Sequence, residues 1–166
     1  MNAAGFRLNH TMLRVRDPKE SLAFYCEALG MQLIEKFDFD DMQFSLYFLG
    51  FSEALDGAMP AARAERIAWM AGQSGLLELT HNWGSESDDS FVGYHDGNSA
   101  PQGFGHIGIS VPDVYAACAR FEQLDIEFLK RPDDGSMHGL AFIKDPDGYW
   151  VEIFSPKGLS KTIVGV

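Results

Sequence analysis

The sequence predicts an α+β fold in which two β-α-β-β-β modules each form a half-barrel sheet. Three observations lead to this prediction: a repeated segment, the same order of strands and one helix in both halves, and a polar segment between the halves. The repeat is clearest where residues 9–17 (NHTMLRVRD) align with residues 105–113 (GHIGISVPD). Both segments place a histidine before alternating apolar residues and end in Val-x-Asp, so we expect a duplicated module.

The first module covers residues 1–83. A strand follows His10, and Asp17 offers a side-chain oxygen to cap the helix that comes next. Short apolar runs predict further strands at 31–35, 44–49 and 75–80, and we expect residues 67–70 (IAWM) to form the rim of the same sheet. The polar, alanine-rich insertion at about 50–66 is interpreted as a loop with room for one short helical turn.

The second module covers residues 103–156 and repeats this order. Its first strand follows His106, Asp113 caps its helix, and strands are expected at 126–130, 139–143 and 149–154. Residues 144–148 (KDPDG) predict a tight turn between the last two strands, because proline presets φ and glycine accepts a positive φ. Residues 84–102, rich in Ser, Asp, Gly and Asn, are the expected linker, and 157–166 the expected C-terminal tail.

Composition narrows the class of partner. The 166 residues carry a formal net charge of −11, which would repel nucleic acid and anionic membranes alike. The first residues lack a basic segment followed by an apolar run, so we expect no secretory signal and a cytoplasmic location. Cys26 and Cys118 both fall in helical patterns and are expected to be buried apolar residues, not a disulfide.

Two histidines and two glutamates occupy equivalent places in the two modules. His10 and His106 each begin a first strand, whereas Glu78 and Glu152 each lie between apolar residues of a last strand. Side chains alternate between the faces of a strand, so each glutamate points away from its apolar neighbours. If the first and last strands of a module pair, its histidine and glutamate meet on one concave face. We therefore predict that the four side chains bind one divalent metal, since imidazole and carboxylate suit Zn, Ni, Co and Fe.

Four segments carry a resemblance to a known family: residues 12–15 (MLRV), 76–84 (LLELTHNWG), 103–109 (GFGHIGI) and 145–152 (DPDGYWVE). With these segments the chain resembles the glyoxalase I (lactoylglutathione lyase) family of the vicinal-oxygen-chelate superfamily, over nearly its whole length. The resemblance implies isomerisation of the methylglyoxal–glutathione hemithioacetal to S-D-lactoylglutathione through a metal-stabilised enediolate, which would detoxify methylglyoxal. It also implies that Glu152 is the main catalytic base, with Glu78 acting on the opposite face of the substrate.

The resemblance further implies a set of substrate contacts. Arg14 and Asn82 match positions that bind the γ-glutamyl end of glutathione, and Lys130 matches a lysine that meets the glycyl carboxylate. Met137, Gly139 and Leu140 match a mobile loop over the site. The apolar surround of the thioether is matched by Phe39, Leu46, Phe48, Ile67, Leu140, Phe142 and Leu159.

The resemblance leaves more than one possibility for the metal and for the subunit arrangement. Long family members are typically zinc enzymes, and the insertions here favour zinc. Shorter bacterial members with histidine at the position of His10 use nickel or cobalt, so these metals stay open. Gln102 replaces an arginine that usually contacts glutathione. Family members are usually homodimers in which each site combines the first module of one subunit with the second module of the other, although both pairs meeting within one chain stays open.

Two other functions compete with this interpretation. An extradiol dioxygenase on the same fold would use two histidines and one carboxylate around Fe(II), and the fourth candidate ligand here argues against it. A non-catalytic protein that sequesters antibiotics in a β-walled cleft would need no metal, so the duplicated His and Glu count against that alternative.

Overall fold

The computed structural model describes residues 2–165 and confirms the fold class. The chain divides between residues 92 and 93 into two compact units, each built on its own four-stranded sheet. The first unit contains β1 (His10–Val15), α1 (Pro18–Leu22), β2 (Gln32–Phe39), β3 (Phe44–Gly50), α2 (Arg63–Ala71) and β4 (Leu76–Asn82). Helix α1 continues as a π-helical segment, Ala23–Ala28. Single 3-10 turns lie at Asp40–Met42, Ser52–Ala54 and Ser85–Ser87.

The second unit repeats the β-α-β-β-β order. It contains β5 (His106–Ser110), α3 (Val114–Gln123), β6 (Phe128–Lys130), β7 (Leu140–Lys144), β8 (Trp150–Phe154) and a further helix α4 (Pro156–Val164). Residues 157–164 of the expected tail are therefore helical. Ser155 begins this helix by accepting a hydrogen bond from the Gly158 amide.

The pairing of first and last strands decides the geometry of each sheet. The strand orders are β1-β4-β3-β2 and β5-β8-β7-β6, and in each sheet the first and last strands of the module are parallel neighbours. Met12 pairs with Glu78, and Gly108 pairs with Glu152. Since residues two apart share a face, His10 and His106 lie on the same faces as these glutamates.

Each face of the first sheet has its own core. On one face Leu13, Val15 and Leu79 are at most 4% exposed, and Tyr25 of the helical segment after α1 is fully buried. The other face, which carries Glu78, holds a second cluster in which Met70 of α2 contributes to the packing. This cluster contains the buried residues Ile34, Phe48, Met70 and Leu76, with Phe37, Leu46, Leu55 and Trp69 packed against it.

The expectation that residues 67–70 form a strand at the sheet rim is wrong, because they belong to helix α2. Four consecutive apolar residues are compatible with a buried helix as well as a strand. The deciding contacts come from outside this run: Arg66 reaches Glu35 of β2, while Met70, four residues later on the same side of the helix, enters the core. The helix at the end of the insertion therefore packs against β2, the edge strand of the sheet.

Two local predictions about helix starts are confirmed. The Asp17 carboxylate accepts a hydrogen bond from the Lys19 amide at 2.8 Å. Asp113 accepts from the amides of Tyr115 and Ala116 at 2.9 and 3.0 Å. These bonds satisfy amides that have no partner within the first turn of a helix.

The predicted turn at 144–148 also forms. Asp145 accepts hydrogen bonds from the amides of Asp147 and Tyr149, and Gly148 has the positive φ, 88°, that the turn requires. This turn places β8, and with it Glu152, antiparallel to β7.

The two cysteines are unpaired thiols, and burial raises the pKa of both Cys26 and Cys118. Cys118 is buried, as expected, whereas Cys26 is only partly buried. Across residues 2–165, every helix is too short or too polar to pass through a bilayer.

Candidate metal centre

The first half of the candidate site is formed by β1 and β4. The Nε2 atom of His10 lies 3.0 Å from Oε2 of Glu78, with 39% of the imidazole and 12% of the carboxylate side chain exposed. Glu78 also accepts a hydrogen bond from the Thr80 hydroxyl at 3.3 Å. The pair therefore presents one nitrogen and one oxygen donor at an accessible edge of the sheet.

The second half reproduces this arrangement on β5 and β8. Nε2 of His106 lies 3.4 Å from Oε2 of Glu152, and again the imidazole is more exposed than the carboxylate. The two modules therefore share not only their backbone arrangement but also the relative positions of the histidine nitrogen and the glutamate oxygen.

The donor set and its spacing fit a metal. Two ligand atoms about 2.1 Å from one metal, at roughly tetrahedral or octahedral angles, lie roughly 3.0–3.4 Å apart. Both His–Glu pairs fall in that interval. Within residues 2–165 no three His, Cys, Asp or Glu side chains gather around one point, so each unit by itself offers two of the four candidate ligands.

A phenylalanine packs edge-on against each candidate histidine. The ring centroids of His10 and Phe48 are 5.3 Å apart, and those of His106 and Phe142 are 5.2 Å apart. Phe48 pairs with Glu78 across β3 and β4, and Phe142 pairs with Glu152 across β7 and β8. The sequence interpretation placed both phenylalanines in an apolar substrate pocket, and their position also limits the rotation of the two imidazoles.

Other residues of the first unit that were expected to contact substrate lie on the Glu78 face of the sheet. Arg14 is exposed and pairs with Thr80, two residues beyond Glu78, and Asn82 is exposed at the end of β4. Phe39 stacks on Phe44 at 4.6 Å between ring centroids. Leu46 packs against the apolar cluster, and Ile67 is half-buried on α2.

Lys130 is engaged with the chain itself. Its ammonium donates to the carbonyls of Arg131, Met137 and Leu140 at 3.2, 2.8 and 2.9 Å. An ammonium has three protons, so these bonds use its full donor capacity. Lys130 therefore ties together the two ends of the 131–139 loop, which includes two residues expected to cover the site, whereas Leu140 itself is buried.

The loop is held from the opposite side by the last helix. The Thr162 hydroxyl donates to the carbonyl of His138, and Gly158 lies close to the Gly139 carbonyl. Leu159, expected at the thioether, lies on this same helix, α4. The C-terminal helix and Lys130 together fix the loop in the conformation observed.

Sequence reasoning missed two groups near the first half-site. The first is Asn9, whose side-chain oxygen lies 2.8 Å from Nδ1 of His10. The second is Glu35, which is 8% exposed and accepts from Arg63 and Arg66 of α2. Burial opposes ionisation of Glu35, but the hydrogen bonds from the two arginines outweigh burial and lower its pKa. Little in the sequence indicated this cluster, because Arg63 and Arg66 lie in the insertion that was interpreted as a loop.

Comparison with known proteins supports a common origin. Residues 7–153 match the family model described as Glyoxalase/Bleomycin resistance protein/Dioxygenase superfamily. The lactoylglutathione lyase of Pseudomonas putida is 54% identical over 156 residues, covering 94% of this chain and 88% of that protein. That of Pseudomonas aeruginosa is 57% identical over 145 residues, covering 87% and 80% respectively.

A solved structure gives the same result. The glyoxalase I of Leishmania major, described as trypanothione-dependent, superposes with a TM-score of 0.70 at 31% identity, over 96% of this chain and 94% of that one. The range matched by the family model, 7–153, spans the positions of both His–Glu pairs. The chain belongs to the glyoxalase I (lactoylglutathione lyase) family within the Glyoxalase/Bleomycin resistance protein/Dioxygenase superfamily.

Proposed function

We propose that this protein is a lactoylglutathione lyase that isomerises the hemithioacetal of methylglyoxal and glutathione to S-D-lactoylglutathione, and so detoxifies methylglyoxal in the cytoplasm. The observation that carries the proposal is the duplicated His–Glu pair, with donor atoms 3.0 and 3.4 Å apart. It occurs in a chain that is 54% and 57% identical to two Pseudomonas lyases.

His10, Glu78, His106 and Glu152 would hold one divalent metal, which we propose to be zinc, with nickel and cobalt as alternatives. When bound, such a metal supplies Lewis acidity to the two neighbouring oxygens of the substrate. The two carboxylates are the less exposed members of their pairs, which suits side chains that meet substrate at the bottom of a site.

Glu152 acts as the main base in this proposal. Its carboxylate takes the proton from the carbon that bears the hydroxyl and the sulfur, and returns it to the adjacent carbonyl carbon. The hydroxyl proton of the first carbon passes to the oxygen of the second. The first carbon then becomes the thioester carbonyl and the second carries the new hydroxyl, so the reaction needs no other reactant. Glu78 serves the opposite face of the substrate.

The substrate is anionic and the chain has a net charge of −11, so local cations must hold it. Arg14, with Asn82, is proposed at the γ-glutamyl end. Arg14 is suited to this because it has no ion pair among residues 2–165. Lys130 would reach a glycyl carboxylate only by exchanging one of its carbonyl partners for the ligand.

We further propose a homodimer in which the His10–Glu78 pair of one subunit faces the His106–Glu152 pair of the other. Its support is that each unit presents one complete His–Glu pair, so the pair that completes a four-ligand site can come from a partner subunit. Mixing a His10→Ala chain with a His106→Ala chain tests this arrangement. Mixed dimers would regain one intact site and part of the activity, whereas sites confined to single chains would stay inactive.

The reaction itself is tested by stripping the protein with a chelator and adding Zn, Ni, Co or Mg separately. Formation of the thioester from methylglyoxal and glutathione should return with one or more of these metals. The matched control is His95→Ala, which removes a linker histidine whose ring bonds to Gly97 and Ser99. Absence of thioester with every metal would contradict the proposed function.

A further inference from the structure

The Asn9 side chain contacts both the end of α2 and a candidate ligand, His10. Its Nδ2 donates to the carbonyls of Met70, Ala71 and Gln73 at 3.1, 3.3 and 2.9 Å. The Met70 and Ala71 carbonyls are in the last turn of α2, and the Gln73 carbonyl lies two residues beyond the helix. Its Oδ1 lies 2.8 Å from Nδ1 of His10.

The carbonyls determine which way the amide of Asn9 faces. A carbonyl oxygen only accepts hydrogen bonds, so the NH2 group must point at α2 and Oδ1 must point at His10. An amide oxygen also only accepts, and Nδ1 of His10 must therefore carry the proton of this bond. In the neutral ring the lone pair is then on Nε2, the atom that faces Glu78 at 3.0 Å.

A lone pair on Nε2 and a carboxylate oxygen repel each other at 3.0 Å unless a positive charge lies between them. The charge is either a proton on Nε2 or a metal ion. Without Asn9, the neutral ring would be free to carry its proton on Nε2 and donate it to Glu78. That hydrogen bond would occupy the nitrogen and the carboxylate oxygen that would otherwise bind a metal. The contact from Asn9 thus favours the ring form that binds a metal.

We propose that Asn9 is a positioning residue that holds His10 as the Nδ1-protonated ring with Nε2 directed to the metal, and that it links this half-site to the insertion helix α2. The inference rests on the proposed function in taking His10 as a metal ligand. The second half-site has no counterpart, because Gly105 occupies the position equivalent to Asn9. The two halves therefore differ in how their histidines are held.

Three variants separate this role from simple stabilisation of the helix end. Asn9→Ala removes both sets of bonds. Asn9→Asp keeps an acceptor for Nδ1 of His10 but loses the donors to α2 and places a carboxylate beside its carbonyls. Arg7→Ala is the matched control, because the Arg7 guanidinium donates to the Gly72 carbonyl at the same helix end and no contact joins it to His10.

Zinc affinity, measured on the full chain by competition with a chromophoric chelator, is the first readout. Loss of a side chain that orients a ligating histidine typically weakens metal binding about 10–100-fold. We expect a loss of that size in Asn9→Ala, near-normal affinity in Asn9→Asp and unchanged affinity in Arg7→Ala. Unchanged affinity in Asn9→Ala, an Asp variant as weak as the Ala variant, or an Arg7 variant as weak as either would overturn the proposal.

A second readout is made on the wild-type protein and needs no lyase activity. In zinc-loaded wild-type protein, two-dimensional 1H–15N spectra of the histidine rings should show zinc on Nε2 of His10 and a slowly exchanging proton on Nδ1. A His10→Gln spectrum assigns the signal. Zinc on Nδ1, or an Nδ1 proton that exchanges as fast as in a solvated ring, would contradict the role of Asn9 even if the lyase activity is established.

Discussion

The guanidinium of Arg66 on α2 holds the Glu35 carboxylate of β2 through two nitrogens on one oxygen, with Nε at 3.0 Å and the terminal nitrogen at 2.8 Å. Arg63 binds the other oxygen at 3.2 Å. Because Glu35 is only 8% exposed, the two arginines are needed to stabilise its negative charge. The three side chains attach α2 to the sheet.

Glu35→Gln should lower the free energy of unfolding by about 1–3 kcal/mol, because it replaces charge-assisted hydrogen bonds in a nearly buried position. Chemical denaturation of the two proteins measures the difference. The control is Glu127→Gln, whose partner Lys144 lies in an exposed pair that should contribute at most about 1 kcal/mol. Equal losses of unfolding free energy in the two variants would show that the Glu35 interactions stabilise the fold no more than an exposed ion pair does.

The contribution of Glu35 should also depend on pH. Its pKa in the folded protein is lowered from 4.5, since the arginine hydrogen bonds outweigh burial. A lowered carboxyl pKa stabilises the fold above the unfolded value, and this stabilisation disappears as pH falls through the folded value. The difference in stability between wild type and Glu35→Gln should therefore be constant at neutral pH and shrink below pH 4.5. A difference that grows on acidification would contradict the direction of the shift.

Glu152→Gln should reduce kcat by at least about 100-fold, because the amide keeps an oxygen near the site but cannot accept the substrate proton. Initial rates of thioester formation at saturating substrate measure the loss, with circular dichroism to check the fold. Glu127→Gln is again a suitable control, since this carboxylate lies on the segment before β6 and pairs with Lys144. A rate near that of wild type would mean that Glu152 is not the base.

Metal binding should raise the unfolding temperature, because an ion that binds only the folded chain stabilises it by mass action. Zinc should produce this rise in the wild type, and the rise should be small or absent when His10 and Glu78 are both replaced by alanine. The control replaces His81 and Glu86, a pair 2.7 Å apart at the other end of β4. A zinc-dependent rise that survives the first replacement but not the second would place the metal elsewhere.

Gly97→Ala should be far more damaging than Gly93→Ala. Both glycines have positive φ, 85° and 92°, which costs an alanine about 1 kcal/mol in each case. A Cβ at Gly97 would also lie 1.8 Å from the Phe104 carbonyl oxygen, whereas nothing lies within 4 Å of one at Gly93. The backbone before His106 must then move, so zinc affinity should fall together with thermal stability in the first variant only. Equal behaviour of the two variants would contradict the close packing around Gly97.

The order of elements and the equivalence of the two half-sites followed from the sequence, since both depend on local patterns. Alternation marked the strands, Asp17 and Asp113 marked the helix starts, and the repeat aligned His10 with His106 without any knowledge of the fold. Strand periodicity also determined that each glutamate shares a face with its histidine once the strands pair.

Tertiary structure decided whatever depends on contacts between distant segments. Four apolar residues at 67–70 carry no information about helix or strand, and only packing against β2 makes them part of α2. The carbonyls that accept from Asn9 lie more than 60 residues away along the chain, and the partners of Glu35 about 30 away, so no local pattern predicts them. Lys130 likewise looks like a free cation in the sequence, and only the folded loop reveals the three carbonyls that bind it.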